Sequence, residues 1–78
     1  MSEDIFFIIG EYIKLGQLIK CLNFINSGAE AKYYLNDKKV YVNGILENRR
    51  GKKIFNGDEI IIENKKIRIM EKKNEFSN

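Results

Sequence analysis

The sequence predicts an α+β domain in which two short helices are followed by β-hairpins. Three observations carry this. Apolar residues first recur at helical spacing in two stretches, they then switch to period-two alternation, and Asn-Gly turns punctuate the alternating part. At 78 residues and 44% hydrophobic, the chain suits one modest core and no second domain. The domain is expected to span residues 1–70, with a polar tail over 71–78 that is expected to fray.

Taken in order, Ile5-Phe6-Phe7-Ile8-Ile9 reads as a strand and Glu11-Tyr12-Ile13 as a short second one. Leu15, Leu18, Ile19 and Leu22 then mark one face of a helix, with Gly16, Gln17, Lys20 and Asn23 off that face. Asn26-Ser27-Gly28 breaks the pattern. Ser27 with Glu30 three residues on is a capping box, which starts a second helix near Gly28. Its stripe is Ala31, Tyr34 and Leu35, with Lys32 beside the stripe and Tyr33 pointing away. Val40 and Val42 share a strand face, and Asn43-Gly44 is a hairpin signal that returns the chain through Ile45-Leu46. Asn56-Gly57-Asp58 is a further turn. Ile60-Ile61-Ile62 and Ile67-Arg68-Ile69-Met70 are strands joined by Asn64-Lys65-Lys66.

Composition excludes most chemistry. There is no histidine, so the side chain that moves protons near neutral pH and binds most transition metals is missing. Cys21 therefore has no imidazole to activate it, and it reads as a partly buried small apolar residue. Asp58-Glu59 reads as turn chemistry rather than a metal site. No catalytic residue, metal or cofactor is expected. No apolar run spans a bilayer and no secretory leader is evident, so a cytosolic protein without membrane contact is the default expectation.

Charge is segregated. Residues 1–13 carry net −3 and residues 14–53 net +6, while the remainder cancels. A modest overall +3 thus hides a strongly basic centre, as phosphate binders have. Ile, Lys and Asn are abundant enough to suggest an AT-rich genome, which supplies lysines without functional demand. Only three of the 14 basic residues are arginine, and Arg49 and Arg50 stand side by side.

Those two arginines lie in "ENRRGKK", Glu47 to Lys53, a loop flanked by sheet on both sides. By itself the loop reads as a solvated charge run. Two other groups could share a groove with it. Ser27 and Gly28 offer backbone N–H groups at a helix start, with Lys32 one turn on; Gln17 and Lys20 lie on the open side of the first helix. Tyr33 and Tyr41 are candidates for stacking on bases, although such residues more often pack.

The motifs "LGQLIK", "SGAEAKYYL", "VYVNG", "ENRRGKK" and "NGDEIII", in this order and spacing, resemble the RNA-binding domain named after ribosomal small-subunit protein S-four, the alpha-L motif. The match is nearest to its stand-alone bacterial YaaA-like subtype and runs from about Phe6 to Ile69. The resemblance implies two short helices packed on a small bent, mainly antiparallel sheet, with RNA held along the helix pair and adjoining loop. Carried over by position, it implies RNA contacts at Lys14, Gln17, Lys20, Ser27, Gly28, Lys32, Arg49, Arg50, Lys52 and Lys53. Val40, Val42 and Asn43-Gly44 match the structural "V-x-V-N-G". Larger members usually open the first helix with Arg-Leu-Asp, where this chain has Leu15-Gly16-Gln17. No attached enzymatic domain is expected, so the resemblance implies no reaction.

The expected function is non-enzymatic binding of structured RNA, ribosomal RNA or ribosome-bound tRNA, through phosphates and shape. The expected partners are that RNA and the ribosome or its assembly intermediates, with the protein a monomer. Two rivals stay open: an adaptor docking an acidic protein surface, and a DNA binder. A ubiquitin-like sulfur carrier can also show a "VNG" turn, but its chemistry needs a terminal Gly-Gly where this sequence reads Phe76-Ser77-Asn78.

Overall fold

Residues 3–72 are described by a computed structural model. The elements in chain order are β1 (Glu3–Ile8), β2 (Tyr12–Lys14), α1 (Leu15–Cys21), α2 (Ala31–Asp37), β3 (Val40–Val42), β4 (Ile45–Leu46), β5 (Lys53–Phe55), β6 (Glu59–Ile62) and β7 (Lys65–Glu71). A 3₁₀ turn over Gly28–Glu30 leads into α2. The main sheet has strand order β1-β7-β6-β3-β4, and β2 with β5 forms a separate two-stranded ribbon. All pairings are antiparallel except β1 with β7. The α+β class and mainly antiparallel sheet are as expected. The parallel β1–β7 pair is new, because short-range patterning carries no signal for a partner so distant in sequence.

The helical stripes form the core. Leu15, Leu18 and Ile19 of α1 are fully buried, as is Ala31 of α2, with Leu35 nearly so. They meet the inward residues of the strands, Val40, Ile54, Ile60, Ile62 and Ile69, each inaccessible to solvent. Burying side chains of this size contributes roughly 1.5–3 kcal/mol apiece. Asn23 ends α1 in the left-handed region at φ 69°, giving its N–H to the Lys20 carbonyl.

Turn chemistry sets the registers. Asn43 and Gly44 adopt φ 52° and 83°, a primed turn that pairs Val42 with Ile45. Asn43 does more than turn. Its side-chain amide donates to Asp58 Oδ1 at 3.0 Å, and its Oδ1 accepts the Glu59 N–H at 2.9 Å, tying one hairpin to the next turn.

Several expectations need correction. The first strand covers Glu3–Ile8, and Ile9 is 87% exposed. The last hairpin turns at Glu63-Asn64, both left-handed, so Lys65 and Lys66 lie in β7 rather than in the connection. Lys53 begins a strand that the charge run concealed. Cys21 is exposed at the end of α1. Of the tail, Glu71 belongs to β7 and the Lys72 N–H bonds to the Ile8 carbonyl; residues 73–78 lie outside the described residues. No helix among the described residues is long and apolar enough to cross a membrane.

Candidate nucleic-acid interface

The basic loop is seated on the start of α1. A helix leaves its first N–H groups without internal partners. Here the Leu15 N–H donates to the Lys52 carbonyl at 2.8 Å and the Gly16 N–H to the Arg50 carbonyl at 2.9 Å. The loop thus caps the helix with its backbone and leaves the Arg49, Arg50 and Lys53 side chains outside. Gly16 permits the approach. A Cβ built there would lie 3.1 Å from the Cβ atoms of both Ala31 and Arg50. Gly16 was expected off the packed face, yet it is buried where α1, α2 and the loop converge.

This seating creates a shallow concavity of about 380 Å³. Lys14, Gln17 and Lys20 line it from the α1 side, Gly28 from the turn before α2, and Arg50 with Gly51 from the loop. Parts of the chain far apart in sequence therefore present cations to one hollow. Among the described residues no cluster of His, Cys, Asp or Glu could hold a metal ion.

The two arginines part company. Arg49 is bound to Glu47, whose carboxylate accepts from the Arg49 N–H at 3.0 Å, from Nε at 2.9 Å and from Nη2 at 3.1 Å. The Glu47 side chain is only 11% exposed while that of Arg49 is 70% exposed. The bonds from Arg49 outweigh the cost of burial and, with Lys52 nearby, hold the Glu47 carboxyl down at about 2. Arg49 is a clip on the loop, and Arg50 is the arginine at the concavity.

Residues 6–70 match the family model described as S4 domain. The chain belongs to the S4-domain family. It is also similar to the "Probable ribosome maturation protein RlbA" of Bacillus subtilis (strain 168), 45% identical over 53 residues, which cover 68% of this chain and 75% of that protein.

In this S4 domain the remaining expected contacts lie elsewhere. Arg49, Lys52 and Lys53 border a second concavity of about 390 Å³, together with Ile45 and Phe55. Ser27 and Lys32 line neither hollow. The Glu30 carboxylate reaches back to accept the Asn26 and Ser27 N–H groups at 2.6 and 3.0 Å. The Ser27 N–H, expected as an open donor for phosphate, is therefore taken, and a negative charge sits beside it. Tyr33 is 72% exposed on α2, while Tyr41 is half-buried between Leu46 and Ile61.

Sequence reasoning passed over Gly16, Tyr12 and Phe55. Gly16 did carry a signal, since glycine inside a helix costs about 1 kcal/mol against alanine and usually has a packing reason. Tyr12 and Phe55 carried none, because their proximity depends on the β2–β5 register.

Proposed function

We propose that this protein is a non-enzymatic RNA-binding module that holds structured RNA, ribosomal RNA or ribosome-bound tRNA, through phosphates and shape. One observation carries the reading: Lys14, Lys20 and Arg50, from two separate segments, face one concavity whose loop wall is fixed to α1 by backbone bonds. A pre-positioned cationic hollow suits the phosphates of a folded RNA, and lysine and arginine at its rim supply the point charge and the planar fork that phosphates accept. Gln17 adds a neutral donor and acceptor suited to a 2′-hydroxyl, the group that separates RNA from DNA. Membership of the S4-domain family and likeness to a protein named for ribosome maturation support the same reading. The reading places the protein in the cytoplasm with ribosomal particles.

Equilibrium binding to a folded ribosomal RNA fragment over a salt series tests it. With about five phosphates neutralised, log affinity should fall with log salt at a slope of roughly −3.5 to −4.5. A flat response, or equal affinity for heparin and for DNA of the same sequence, removes the proposal. Sedimentation with ribosomal particles should also disappear after nuclease treatment. Persistence there favours an adaptor docked on protein.

A further inference from the structure

The β2–β5 ribbon carries two aromatic and two basic side chains on one face. Tyr12 stands opposite Phe55 and Lys14 opposite Lys53, while Ile13 and Ile54 alternate to the other side, where Ile54 is fully buried. The rings lie 5.9 Å apart, inclined by 51°, and Lys53 Nζ sits 4.8 Å from the Tyr12 ring centre. Tyr12 remains 37% and Phe55 43% exposed.

We infer that this face is a stacking platform for an unpaired RNA segment leaving the concavity described above; the inference rests on the RNA-binding reading. A cross-strand aromatic pair steadies a ribbon, and the Tyr12 ring holds Lys53, but neither accounts for Lys14 directly opposite Lys53, a like-charge arrangement that destabilises a strand pair. A polyanion lying across them removes that repulsion. Exposed rings interleaved with cations are what a single strand requires, because every base has a stacking face and the backbone follows the charges.

Position supports the assignment. Lys14 borders the first concavity and Lys53 the second, so the ribbon face forms the ridge between them. Beyond the ridge, Val42, Ile45 and Phe55 give the second hollow apolar walls, with Arg49 and Lys52 also on its border. Its two acids are engaged: Glu47 holds Arg49, and Asp58 accepts the Phe55 N–H at 2.8 Å and the Asn43 amide. A base turned out of the helical stack meets carbon below and cations at the edge.

The test compares two RNA hairpins of equal length, one fully paired and one carrying a short unpaired uridine run beside its stem. Wild-type protein should bind the second roughly tenfold more tightly, the scale of one or two stacked bases. Tyr12→Leu with Phe55→Leu keeps an apolar cross-strand contact and should erase that preference, leaving affinity for the paired hairpin and its salt slope unchanged. Independently of any variant, iodouridine in the unpaired run should photocrosslink to Tyr12 or Phe55 of the wild-type protein. Equal wild-type affinities, a preference that survives in the folded double variant, or crosslinks confined to other residues overturn the platform while leaving RNA binding intact. Failure to bind either hairpin overturns both readings.

Discussion

Gly16 gives its N–H to the Arg50 carbonyl at 2.9 Å, and a Cβ added to it would lie 3.1 Å from the Cβ atoms of Arg50 and Ala31, tighter than ordinary packing. Gly16→Val should drive branched carbons into Ala31 and Arg50 and destabilise the fold by about 1–3 kcal/mol. At this chain length each kcal/mol lowers the melting temperature by roughly 4–8 °C. Gly16→Ala should lose less, since a gain of about 1 kcal/mol in helix propensity opposes the clash. Thermal melts followed by circular dichroism decide, and a wild-type melt for the valine variant would mean the loop is not seated on α1.

Arg49 and Arg50 should separate on mutation. Arg50→Ala is expected to weaken binding to folded RNA by about tenfold with an unchanged melting temperature, as a cation facing a phosphate does. Arg49→Ala leaves the largely buried Glu47 carboxylate without its partner and should lower the melting temperature measurably. Equal effects of the two substitutions on both readouts would contradict the division of roles.

The Glu47–Arg49 clip makes part of the stability depend on pH. Glu47 is held at about 2, below its ordinary 4.5, so the unfolded chain binds the extra proton first as acid is added. The contribution is fully present at neutral pH and is lost as pH falls from about 5 towards 2. Urea unfolding of wild type and Glu47→Gln should show a constant gap above about pH 5 that narrows in acid. A gap that widens in acid would have the wrong sign.

Asn43 holds three elements at once, through its left-handed turn, its bond to Asp58 and its acceptance of the Glu59 N–H. Asn43→Ala loses the side-chain bonds and places alanine at a positive φ. The expected loss is about 1–3 kcal/mol, read from the urea midpoint at unchanged slope. RNA affinity extrapolated to full folding should not change.

Both helical stripes and the Asn43-Gly44 turn were legible because each is written in residues a few positions apart. The same locality hid the parallel β1–β7 pair, which depends on contacts across nearly the whole chain. For the site, Lys14, Gln17, Lys20, Gly28 and Arg50 were named from the sequence and share a hollow in the structure. The difference between Arg49 and Arg50 was invisible: adjacent identical residues diverge only because Glu47 is buried and Arg50 lends its carbonyl to Gly16. Ser27 was recognised as part of a cap, but the cap uses the very N–H that phosphate binding needed.

The parallel pairing of β1 with β7 also fixes an order of events during synthesis. Glu3 stands opposite Lys66, so β1 leaves the ribosome about sixty residues before the strand that completes it. Closing so long a loop is slow compared with forming the local helix pair and the Asn43-Gly44 hairpin. The apolar strand Ile5-Phe6-Phe7-Ile8 is therefore expected to pair late, after the basic half of the molecule has taken shape.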